Sequence, residues 1–141
     1  MAGETTTDLV PLNIPLQTSK SVGQVVAQPW SVEARTTDLA TNDITAVAMI
    51  PKGATYLGCF LITDDLDTNA SVALVWSILV GTTAVNTGIG NDTAKAGAFY
   101  ASVAGPVTVT ADTYINMKAT TAAGTAAAGT ISLTPLYITS E

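Results

Sequence analysis

Apolar and polar residues alternate along most of this chain with a period of two, and clusters of turn formers break the alternation. Residues 71–80 (SVALVWSILV) place Val72, Leu74, Trp76, Ile78 and Val80 on one face and Ser71, Ala73, Val75, Ser77 and Leu79 on the other. A second apolar run covers residues 54–63 (ATYLGCFLIT). The separator Asp64-Asp65-Leu66-Asp67-Thr68-Asn69-Ala70 is made of turn residues, so the pattern predicts two antiparallel strands joined by a polar loop. A shorter strand, Ile44–Ile50, precedes them and stops at Pro51-Lys52-Gly53, because proline cannot continue a ladder and glycine permits a tight turn. Further upstream, Trp30, Val32 and Ala34 alternate with Ser31, Glu33 and Arg35, and Pro29 suits a strand start or an edge.

The run at 54–63 has an additional property. Leu57, Cys59 and Leu61 oppose Tyr56, Phe60 and Ile62, so both faces are apolar. A two-layer sandwich buries one face of each strand. The second face needs a cover, which the N-terminal segment, the segment near residue 100 or another subunit could supply. Residues 81–91 (GTTAVNTGIGN) read as turns. A short helical insertion is expected at 93–103, weakened by Gly97. Strands resume with VTVT at 107–110 and YINMKAT at 114–120, the latter with Ile115, Met117 and Ala119 inward. Residues 121–129 (TAAGTAAAG) read as a flexible loop, and 130–139 as the last strand, with Pro135 marking an edge or bulge. About eight strands with regular turn signals predict an all-β sandwich, jelly roll or open barrel. Residues 21–141 form one such domain, and residues 1–20 form an extended N-terminal arm. In that arm Pro11 and Pro15 forbid a helix, and Leu9, Val10, Leu12, Ile14 and Leu16 need a surface to lie on. That surface is either the arm's own domain, with the arm as an edge strand or strap, or a neighbour.

Composition narrows the function. The 141 residues are 48% hydrophobic and only 11% charged, against about 25% charged in an ordinary soluble domain. Threonine, serine and asparagine supply the polarity, which suits a β protein packed against copies of something else. The net charge is −6, and Lys20, Arg35, Lys52, Lys95 and Lys118 are scattered, so no nucleic-acid partner is expected. No apolar run reaches the 18 residues of a membrane span, and the acidic start MAGETTTDLV lacks the features of a signal peptide. The expectation is therefore no membrane partner and synthesis in a cytoplasm.

The chemistry is equally sparse. The sequence has no histidine, which removes the commonest general base and metal ligand. The single Cys59, mid-strand, reads as a small buried hydrophobe, and one cysteine makes no zinc or iron–sulfur site. Asp65-x-Asp67-x-Asn69 opens like a calcium loop, but Ala70 stands where the loop glycine belongs and Trp76 where its bidentate glutamate belongs. The reading is a solvated turn. Trp30, Tyr56, Phe60 and Trp76 read as core rather than as a sugar-stacking platform. No catalytic residue, metal site or cofactor is expected.

The stretch DITAVAMIPKGATYLGCFLITDDLDTNASVALVWSILVG at 43–81 resembles small head proteins of tailed bacteriophages. So do TVTADTYI at 108–115 and the ending AAAGTISLTPLYI at 126–138, which follows an Ala/Gly/Thr loop. The likeness covers residues 43–138. It implies a β-sandwich that decorates or cements the exterior of an assembled capsid, often as a trimer. Partners would then be the major capsid protein and further copies of the chain, as a homotrimer, with the virion exterior as location and the host cytoplasm as assembly site. Candidate capsid or subunit contacts are Leu9, Val10, Leu12, Ile14 and Leu16 of the arm and Tyr56, Phe60 and Ile62 of the two-faced strand. Two other readings fit the residues: another virion β protein (tail, fibre or coat component), or a carbohydrate-binding or adhesive β-sandwich module.

Overall fold

The structure, a computed structural model, describes residues 24–139. In chain order its elements are β1 (Val25–Ala27), β2 (Trp30–Ala34), a 3-10 turn (Thr36–Asp38), β3 (Ile44–Ile50), β4 (Thr55–Thr63), β5 (Val75–Val80), β6 (Thr83–Gly90), α1 (Asn91–Ala96), β7 (Ala98–Ala101), β8 (Val107–Thr108), β9 (Thr113–Thr121) and β10 (Gly129–Ile138). They make two antiparallel sheets. One has the order β3-β9-β5-β6. In the other, β10 and β4 are central. β1 and β2 pair successive stretches of β10, on either side of Gln28-Pro29, and β7 and β8 do the same along β4. Counting each interrupted pair as one strand leaves eight positions, ordered 1-8-3-6 against 2-7-4-5. That order arises when one long antiparallel hairpin, pairing 1 with 8, 2 with 7, 3 with 6 and 4 with 5, is wrapped round on itself. It is the jelly roll, and it agrees with the expected all-β sandwich.

The core lies between the sheets. Leu74, Trp76, Ile78 and Val80 of the β5 region meet Ile115, Met117 and Ala119 of β9, and Tyr56, Cys59, Leu61, Ile131 and Leu133 close it from the other side; all are buried. The inward positions of β2, β5 and β9 follow the alternation of the sequence, since one apolar face per strand must leave water.

Three local expectations are revised. β4 and β5 are not a hairpin: they lie in opposite sheets, and residues 64–74 cross between them. Alternation sets which face of a strand is buried but says nothing about which strand is its partner. Residues 83–90, expected as turns, form β6, paired with β5. Its Asn86, Gly88 and Gly90 are poor strand formers, but the buried Val85 and Ile89 anchor it and the β5 backbone supplies its ladder. The helical insertion is shorter than 93–103. It spans Asn91–Ala96 and stops at Gly97, whose φ of 82° is open to glycine but strained for other residues. The chain then enters β7, where Phe99 and Tyr100 pair with β4.

Candidate functional site

The outer face of β4 carries the strongest functional signal. Along β10, Leu136 pairs with Gly58 and Tyr137 with Tyr56, which leaves Leu57 as a bulge. The extra residue turns Tyr56 to the same side as Cys59 and Leu61, where all three are buried. Tyr56, expected at an interface, is therefore a core residue. Phe60 and Ile62 do face outward, 53% and 51% exposed. β7 adds Phe99, 44% exposed. The Phe60 and Phe99 rings lie 4.9 Å apart at 55°, a tilted aromatic pair. With Ser132 and Thr134 of β10 they line a groove of about 410 Å³ that has no charged residue in its wall.

Two glycines shape this face. A Cβ at Gly58 would lie 2.7 Å from the Tyr100 carbonyl oxygen and 2.8 Å from Cζ of Phe99, so only glycine lets β7 come this close. Gly97 ends α1 beneath the side chain of Ile62, 3.5 Å from where its own Cβ would stand. The sequence reading singles out neither Phe99 nor Gly58, and takes Gly97 only as a residue that weakens a helix. The signal for Phe99 was hidden because its neighbours looked helical. The arm residues Leu9, Val10, Leu12, Ile14 and Leu16 lie outside the described residues.

The acidic loop after β4 is structural. Asp67 is fully buried. Its Oδ1 accepts the N–H of Asn69 (3.2 Å) and Thr125 (2.9 Å), and its Oδ2 those of Ala73 (2.8 Å), Leu74 (3.0 Å) and Gly124 (2.8 Å). Burial pushes its pKa up, but the amides of Thr125, Gly124, Ala73 and Leu74 outweigh this and hold the carboxyl far below its ordinary range. Both carboxylate oxygens are thus engaged by backbone. Asn69 caps Ser71 through its side-chain oxygen, Asp64 accepts the Thr130 N–H, and Asp65 pairs with Lys95 at 3.6 Å. The spacing that opens like a calcium loop does not converge on a point, and among the described residues no cluster of three His, Cys, Asp or Glu could hold a metal. Asn91 is a second buried latch: it accepts the Leu66 N–H at 3.0 Å and donates to Thr63 Oγ1 at 3.1 Å.

Cys59 is buried, and burial pushes its thiol up to about 11, partly offset by Tyr56. It stays a thiol at neutral pH and is a poor nucleophile. Trp76 is buried and Trp30 is half-buried, as expected of core; Tyr56, which carries both a core and an interface reading, follows the core one, and Phe60 is the exception.

No protein-family model and no curated protein matches this chain. Solved structures do. The chain is similar to one in a cyanophage Pam1 capsid asymmetric unit, with 25% identity over 95% of this chain and 98% of that one, at a TM-score of 0.69. A chain of the Ralstonia phage GP4 capsid matches at 18% identity over 87% and 89%, with a TM-score of 0.66. A chain of the acid-stable capsid of Helicobacter pylori bacteriophage KHP30 matches at 14% identity over 84% and 94%, with a TM-score of 0.52. The fold is shared with chains found in phage capsids.

Proposed function

We propose that this chain is a structural protein of a tailed-phage virion that decorates and stabilises the exterior of the assembled capsid. The observation that carries the reading is the nearly end-to-end match, in both directions, with a chain of the cyanophage capsid asymmetric unit. Such coverage means that the two chains are of similar length. A chain this small, net acidic and with no clustered basic residues, suits an addition to a shell better than the genome-facing coat itself.

The exposed face of β4 and β7 supplies the means. Burying the exposed half of Phe60, Ile62 or Phe99 contributes about 1 kcal/mol each. One such contact is weaker than the roughly 4 kcal/mol of a millimolar complex. It becomes useful when symmetry repeats it. Subunits associate through this face as a homotrimer, and the trimer engages several copies of the major capsid protein at once. Closed symmetry and multivalent attachment then resist outward pressure on the shell.

The test is addition of the purified protein to shells that lack it. Saturating protein should raise the shell's melting temperature, and Phe60→Glu should abolish the rise while the free variant still unfolds in one cooperative transition. An unchanged shell melting temperature with the unaltered protein would end the decoration reading.

A further inference from the structure

β3 is a free edge. It pairs with β9 on one side and, among the described residues, with no strand on the other. Its seven residues, ITAVAMI, contain none of the charges or prolines that usually protect an edge; a bulge at Val47 is the only such device. Ile44 on the edge and Tyr114 next to Met49 are 58% and 54% exposed. Between β3 and β2, the edge of the facing sheet, runs a groove of about 340 Å³ lined by Trp30, Val32, Ala46, Met49 and Tyr114. Trp30 Nε1 is buried beside it with no hydrogen-bond partner among the described residues. The far side of the sandwich is different: α1 packs on β4, and the Val103 N–H bonds the Val85 carbonyl across the sheets.

We propose that residues 10–16 of the same chain add as a strand to this free edge of β3 and close the groove. The segment reads VPLNIPL. In an extended strand Val10, Leu12, Ile14 and Leu16 share one face, while Pro11, Asn13 and Pro15 share the other. The backbone groups alternate in the same way. One edge keeps its N–H donors, and the other loses two of three to proline. Such a strand pairs on one side only and blocks further addition, which is what the last strand of a sheet needs. Its seven residues match the seven of β3.

Connectivity favours the chain's own segment over one from a second copy. β1 begins at Val25, which pairs with Ile138 opposite Thr55, at the end of the sandwich where β3 finishes. Residues 17–24 can span up to about 26 Å, and stacked sheets lie about 10 Å apart. The segment would run parallel to β3, a slightly weaker pairing per residue than antiparallel. The tether more than offsets this, because a short linker supplies an effective concentration near millimolar, well above that of free copies at micromolar protein.

Hydrogen exchange on the full chain in the absence of shells tests this independently of any capsid role. The β3 amides not engaged by β9, together with those of residues 12, 14 and 16, should exchange about 100-fold more slowly than open chain, at the same rate from about 5 to 200 μM protein. Leu12→Asp/Ile14→Asp should return these amides to open-chain exchange while β10 keeps its protection, which shows that the fold survives. Fast exchange at those amides in the unaltered protein would overturn the proposal. Protection that grows with protein concentration would overturn it too, in favour of a strand from a second copy.

Discussion

Asp67 shows how one side chain can organise a loop system. Its carboxylate gathers five backbone amides from the two loops at 67–74 and 124–125. The Ala/Gly/Thr stretch at 121–129, which reads as a flexible loop, is held in place by that anion. The sequence marks Asp67 as a turn residue but cannot show that it points inward, because two of its five partners are backbone groups 57 and 58 residues away. Asp67→Asn places an NH2 among donors and leaves buried amides without an acceptor, each costing about 1–3 kcal/mol. Urea unfolding should show a loss of about 3 kcal/mol or more. The pH dependence has a defined direction. The folded-state pKa lies below the ordinary 3.8, so this stabilisation is complete above that value and declines as pH falls below it towards the folded pKa. Unfolding free energies measured from about pH 5 down to pH 2 should therefore fall more steeply in the unaltered protein than in Asp67→Asn.

At the scale of elements, the contact between β4 and β7 decides whether the apolar face exists. Gly58 is packed against the Tyr100 carbonyl and the Phe99 ring. Gly58→Ala must push β7 away, at a cost of about 1–3 kcal/mol, and must separate Phe99 from Phe60. The expected result is a lower melting temperature together with weaker self-association, and scanning calorimetry with sedimentation measures both. If association were unchanged while stability fell, the geometry of this face would not matter for assembly. The two-faced apolar pattern of residues 54–63 was legible in the sequence, and Phe60 and Ile62 are on the expected side. Tyr56 is not, because a bulge at Leu57 shifts the alternation by one residue; Gly58 beside it is the local mark of a bulge, which a strict period of two passes over.

For the whole molecule, the jelly roll gathers charge at one end. Asp38, Asp43, Asp64, Asp65, Asp67 and Asp92 all lie in the loops, the 3-10 turn or the helix at the end where β4 finishes and β5 begins. The opposite end holds Lys52 and Asp112, linked by the Lys52 N–H to the Asp112 carboxylate at 2.9 Å. Self-association is the property to measure at this scale. Light scattering should give about 43 kDa, three times the 14.3 kDa of one chain, and Phe60→Glu should reduce it to the single-chain mass. A monomer in the unaltered protein would mean that this face meets its partner only on the shell.

The β class, the positions of β3, β4 and β9 to within a residue or so, the buried sides of β2, β5 and β9, and the absence of histidine-based chemistry are all readable from the chain alone. These follow from local alternation and residue type, which act over a few neighbouring positions. That β4 and β5 belong to different sheets, that 83–90 is a strand, that Asp67 is an internal anchor and that Phe99 joins Phe60 at the surface emerge with the folded chain. Each of those depends on contacts between residues far apart in the chain, where burial and backbone hydrogen bonding override local preference.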